Sequence, residues 1–182
     1  MLFSFAMARD GVCLIVHKDN PVQRLSNQQI ADIFTGKVSN WSQVGGRNAT
    51  ITVLAAQDGY SSTEIFTHFF KVKYPDVKAS IVLGDNPTRI KALLENPNGI
   101  AWISVGEAER KAMAGVAIKP LPVEGVAATR KNIRSGDFPI SRPLLLLTKE
   151  RPTGLVKEFI NFSLSPQVTD IIEKHDFIPY VD

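Results

Sequence analysis

Short apolar runs alternate along this chain with apolar stripes at helical spacing, and that alternation predicts an α/β fold. Residues 10–17 (DGVCLIVH), 51–56 (ITVLAA), 79–83 and 100–105 read as strands. The unbroken run at 144–147 (LLLL) reads as a strand buried on both faces. Between these, Ser26 opens a helix with Gln29 completing a capping box, Ile30, Ile33 and Phe34 face inward, and Gly36 closes it. A second helix presents Ile65, Phe66, Phe69 and Phe70 on one side. Asp85-Asn-Pro87 starts a third, with Ile90, Leu93 and Leu94 inward. Residues 107–115 read as a short, mostly exposed helix, 116–126 as a strand and loop, and 132–143 as polar connection. Helices from 153 to 163 and from 165 onward finish the chain.

The stretch 57–64 (QDGYSSTE), between the 51–56 strand and the second helix, carries the candidate chemistry. A helix N-terminus offers unpaired backbone N–H groups and a partial positive charge, which suit an oxyanion. The hydroxyls of Ser61, Ser62 and Thr63 would add side-chain hydrogen bonds there. A plainer reading stands beside it: Ser61-x-x-Glu64 is also a capping box, which a helix uses merely to begin.

Composition narrows the field. The 182 residues suffice for one domain or two small lobes with a sizeable core, and the 44% hydrophobic and 21% charged content is ordinary for a globular chain. A net charge of +3 suits anionic partners, but no run of Lys and Arg forms a nucleic-acid-binding stripe. Cys13 lies within an apolar run and reads as a buried structural thiol; no Cys/His cluster has metal-site spacing. Apolar runs fall far short of the roughly 20 residues a bilayer span needs. The opening MLFSFAMARDG lacks a basic n-region, so no signal peptide is expected in this chain. His17, His68 and His175 share no motif, and Trp41 and Trp102 read as packing residues. Arg142 reads as a structural donor to backbone. Asp58 has no partner carboxylate, and no Walker A loop, Gly-x-Ser-x-Gly elbow or His-Glu-x-x-His occurs, so no enzyme is expected and no cofactor.

Several segments resemble the phosphate-binding protein of bacterial phosphate ABC importers, a type II periplasmic binding protein. They are Asp10-Gly-Val-Cys-Leu-Ile-Val-His-Lys-Asp-Asn-Pro-Val22, Ile30-Ala-Asp-Ile-Phe-Thr-Gly-Lys-Val-Ser-Asn-Trp41, Val44-Gly-Gly46, Ser61-Ser-Thr63, Asn98-Gly-Ile-Ala-Trp102, Gly125-Val-Ala-Ala-Thr129, residues 132–143 (NIRSGDFPISRP) and Phe177-Ile-Pro179. The resemblance implies one lobe of that fold, with a central mixed sheet flanked by helices. Residues 20–140 would form the second lobe, 10–18 and 142–149 the hinge strands, and 150–182 the C-terminal helices. It implies a ligand site at Gln57, Gly59, Tyr60, Ser61, Ser62 and Thr63. Gln57 stands where the family places an arginine, and Ser62 where it places a glycine. A longer stretch ahead of residue 10, carrying most of the first lobe, is expected in the family and is not in this sequence.

Two functions lead as expectations, with an enzyme acting on phosphate esters through Asp58 or Ser61 as a remote third. One is a non-catalytic solute-binding domain for phosphate or a related oxyanion, serving uptake or sensing with an ABC permease in the periplasm or outside the cell. The other is a remnant lobe acting as an interaction module, with an exposed apolar surface beside 144–147 covered by a second copy of the chain.

Overall fold

The computed structural model describes residues 2–180; Met1 and the last two residues of the segment expected at 150–182 lie outside it. Its spine is one long strand, β1 (Phe3–His17), which changes partners along its length. The second half pairs antiparallel with β4 (Gly99–Ser104) on one side and β5 (Ile118–Leu121) on the other. Beyond β4 come β2 (Thr52–Ala56) and β3 (Ile81–Leu83), each parallel to its neighbour, giving the order β3-β2-β4-β1-β5. The first half of β1 pairs antiparallel with β6 (Ser141–Thr148), from Phe3↔Thr148 to Gly11↔Ser141, and with the short β7 (Ile178–Pro179). The central sheet is therefore mixed, as expected.

Helices cover this sheet because their apolar stripes have nowhere else to be buried. α1 (Asn27–Phe34) begins at Ser26, whose hydroxyl accepts from the Gln29 amide at 3.1 Å while the Gln29 side chain accepts from the Ser26 amide at 2.9 Å. α2 (Ser61–Phe70), α3 (Asn86–Glu95) and α4 (Val105–Met113) follow β2, β3 and β4 respectively. Phe34 of α1, Phe66 of α2 and Trp102 of β4 meet at the centre, with Phe66 stacked on Trp102 at 4.2 Å between centroids and 8° between planes. Trp41 is buried as well, its indole N–H donating to the Asn98 carbonyl at 2.9 Å. Cys13 is fully buried, and burial pushes its thiol far above its ordinary range, so it is inert packing.

Four local expectations are corrected. The strand expected at 10–17 starts at Phe3, because Phe3–Arg9 supplies the edge against which β6 pairs. The Leu run is not buried on both faces: Leu145 and Leu147 are 46% and 57% exposed, since no second layer lies on that side. The helix expected at 107–115 as mostly exposed begins at Val105 and buries Val105, Gly106, Glu107 and Ala108. The connection at 132–143 contains α5 (Arg130–Ser135), capped by the Thr129 hydroxyl, which accepts from the Asn132 amide at 3.2 Å. Two helices complete the chain, α6 (Gly154–Ser163) and α7 (Thr169–Lys174), separated by a 3-10 turn at Pro166–Val168.

Candidate functional site

The turn between β2 and α2 is built from backbone outward. Gly59 takes a left-handed conformation (φ 79°) that favours glycine, and it lets the chain reverse after Asp58. Tyr60, at φ −72° and ψ 136°, is the N-cap residue, and no side chain caps the helix. The capping box read at Ser61-x-x-Glu64 is thus not formed, because Ser61 already occupies the first helical position. The Tyr60 carbonyl accepts from the Thr63 and Glu64 amides at 2.9 and 3.1 Å, which leaves the Ser61 and Ser62 amides without an acceptor among the described residues. Thr63 is buried, and its hydroxyl donates to the Gln57 carbonyl at 2.8 Å, tying the turn to the end of β2.

Tyr60, Ser61 and Ser62 line an open cleft of about 250 Å³; Gln57, Gly59 and Thr63 do not. Asp85, Asn86 and Arg89 from the start of α3, and Ser104 and Glu107 around the start of α4, line it as well. Asp10 of β1 and residues 175–177 complete the lining. A wider groove of about 730 Å³ runs between the start of α1 and the 122–125 turn, but no buried cation lines it. The smaller cleft, by contrast, is lined by buried Arg89, Glu107 and Asp10.

Three cleft carboxylates are engaged elsewhere. Asp176 takes a two-pronged hydrogen bond from Arg110 at 2.7 and 2.8 Å, and Arg130 lies 3.4 Å from it. Asp10 faces Arg142 at 3.5 Å, so Arg142 answers a carboxylate rather than the backbone expected of it. Burial nevertheless holds the Asp10 carboxyl above its ordinary range, against the pull of Arg142 and a bond from the Gly11 amide. Asp85 caps α3, accepting from the Thr88 hydroxyl and amide at 2.6 and 3.0 Å, and those bonds keep it below the usual carboxylate range. Glu107 is buried, with Arg110 at 3.9 Å.

Arg89 differs from these groups. It is 1% exposed, donates from Nη2 to the Asn86 side-chain oxygen, and leaves Nε and Nη1 without an acceptor. Desolvation lowers its pKa to about 10, so it stays charged at neutral pH. Nothing in residues 57–64 points to Arg89. Its only trace in the sequence is an arginine sharing the α3 face of Ile90 and Leu93, where an apolar side chain would be ordinary.

The sequence profile of the PBP superfamily domain matches residues 2–167. The chain belongs to the PBP superfamily. Within it, the chain groups with PstS-like phosphate-binding proteins, and its fold is that of a type II periplasmic-binding-protein lobe. The phosphate-binding protein PstS of Bacillus subtilis is 25% identical over 173 residues, covering 94% of this chain and 56% of PstS. A solved structure from Clostridium perfringens, described as a putative phosphate ABC transporter substrate-binding protein with bound phosphate, is 32% identical with a TM-score of 0.80. The match covers 98% of this chain and 72% of that one. An ABC-type phosphate transport receptor from Vibrio cholerae is 26% identical with a TM-score of 0.82, covering 97% of this chain and 72% of the receptor. The chain spans about half the length of the curated relatives it matches. These relatives are binding proteins, and the chain is a non-catalytic member of their superfamily. Among the described residues no helix is long and apolar enough to cross a membrane.

Proposed function

We propose that this chain is a solute-binding domain for phosphate or a related oxyanion, working with an ABC permease in uptake or sensing outside the cytoplasmic membrane. The observation that carries the reading is the pair of unclaimed amides at Ser61 and Ser62, opening into a polar cleft at the start of a ten-residue helix. A helix start of this kind holds an oxyanion through aligned N–H donors and the positive end of the helix dipole. Likeness to a phosphate-bound relative supports the choice of anion. Titration of ¹⁵N-labelled protein with millimolar inorganic phosphate tests it. Saturable shifts of the Ser61 and Ser62 amides are expected, and their absence would end the proposal.

A second reading, an interaction module joined to a second copy of the chain, has one observation in its favour. Leu155, Phe159 and Phe162 recur at i, i+4 and i+7 along α6 and are all exposed, as are Leu145 and Leu147 on β6. Clustered exposed apolar residues of this kind mark interaction surfaces. Sedimentation equilibrium decides: a concentration-independent monomer refutes the second copy, and a dimer weakened by Phe159→Glu supports it.

A further inference from the structure

Arg89 is a buried cation with unmet donors, and such a group calls for an anion. Among the described residues it forms no ion pair, its guanidinium is packed out of water, and only Nη2 has a partner. A buried charged donor without an acceptor costs the protein stability, so it persists where a partner arrives from outside. Arg89 lines a cleft that also carries the free Ser61 and Ser62 amides, and an anion entering it would reach both.

We infer that Arg89, delivered from α3, is the guanidinium that an oxyanion meets in this cleft, so that the anion is held between two helices. The inference rests on the oxyanion reading above and deepens it by naming the charged ligand. Gln57, at the head of the turn, lines no part of the cleft and contributes no charge. Nε and Nη1 each carry N–H groups free to donate to an oxyanion; they lie on different edges of the planar guanidinium, each beside Nη2, so the anion meets one edge of the group. Asn86 sets the orientation of the fork: its side-chain oxygen accepts from Nη2, and its amide nitrogen donates to the Ser104 hydroxyl at 2.9 Å. The surrounding carboxylates do not displace the anion from this role, because Asp10, Asp85 and Asp176 are already held by Arg142, Thr88 and the Arg110–Arg130 pair. Glu107 lies 3.9 Å from Arg110; together with Asp85 it also acts on Arg89 electrostatically, but neither reaches it as an ion pair.

The test uses the whole chain and inorganic phosphate, with two readouts. In the wild-type protein the Arg89 Nε–H resonance should move with the same saturation curve as the Ser61 and Ser62 amides. By calorimetry, Arg89→Gln should weaken phosphate binding by about tenfold or more, Arg89→Lys by less, and Gln57→Ala by under about twofold. Saturable amide shifts in the wild type, with a still Arg89 Nε–H or with Arg89→Gln binding within about twofold of wild type, would overturn this inference and leave the oxyanion site standing. Absent amide shifts would remove both. Should Arg89→Gln fail to fold, the wild-type Nε–H signal decides alone.

Discussion

Replacing Ser61 by proline separates a backbone-donor site from every side-chain alternative. Ser61 is the first residue of α2, the one helical position where proline is favoured, since its missing N–H has no partner within the helix. The residue ahead of a proline must be extended, and Tyr60 already is, at φ −72° and ψ 136°. Among the described residues the Ser61 amide has no acceptor, so the fold loses no hydrogen bond. Proline compatible with its native backbone stabilises by about 0.4–1 kcal/mol by restricting the unfolded chain. Binding should move the other way. A hydrogen bond to a charged group contributes about 1.5–3 kcal/mol, and here it is lost outright. At about 1.4 kcal/mol per decade, the phosphate Kd should rise about ten- to a hundredfold. Urea unfolding and phosphate calorimetry read the two halves, with Ser61→Ala as the control for the hydroxyl. Unchanged affinity in a folded Ser61→Pro protein would refute the claim that main-chain donors hold the anion.

Four further outcomes follow from the packing and the charges. Phe66→Ala, which removes a ring 4.2 Å from Trp102 and 4.7 Å from Phe34, should cost about 3–5 kcal/mol in urea unfolding. Phe159→Ala, on the bare face of α6, should stay within about 0.5 kcal/mol of wild type in dilute protein. Gly106→Ala puts a methyl group against the Asp176 carbonyl oxygen and should lower stability by about 1–3 kcal/mol in the same assay. Asp10 sets a pH dependence: its folded pKa lies above the unfolded 3.8, so the native state keeps the proton that the unfolded chain has released. Wild-type stability should therefore fall relative to Asp10→Asn as pH rises from about 3.8 through the raised folded pKa, and level off above it. Urea midpoints of both proteins at several pH values measure that difference; a difference flat in pH would contradict it.

What the sequence made legible was whatever a local pattern determines. The Ser26–Gln29 cap, the Asp85-Asn-Pro87 start and the inner faces of α1 and α2 are each specified within one or two turns of chain. The long β1 was not legible, because a strand that trades β6 for β4 and β5 near Gly11 leaves no mark in its own alternation. The Leu run at 144–147 misled for the same reason: apolarity on both faces says nothing about whether a second layer exists to cover them. At the site, Ser61-x-x-Glu64 fits a capping box, yet the helix starts one residue earlier. The Thr63 hydroxyl is drawn to the Gln57 carbonyl and Tyr60 becomes the cap. That one-residue shift is what leaves the Ser61 and Ser62 amides unclaimed. Arg89 lay beyond reach because its placement depends on β3 bringing the start of α3 beside the start of α2.

The two sides of the cleft would contribute unequally to holding an anion. The Ser61 end is half in water, so an amide bond formed there replaces one to solvent, and its net worth lies at the low end of the about 1.5–3 kcal/mol for a bond to a charged group. Arg89 has already lost its water in folding, so a bond to its guanidinium displaces nothing comparable on the protein's side and forms where the local dielectric is low. The donor is also held by Asn86 before any anion arrives, which reduces the ordering cost of binding. On this argument the amides position the anion and the buried guanidinium supplies most of the affinity. Arg89→Gln should then weaken phosphate binding more than Ser61→Pro does.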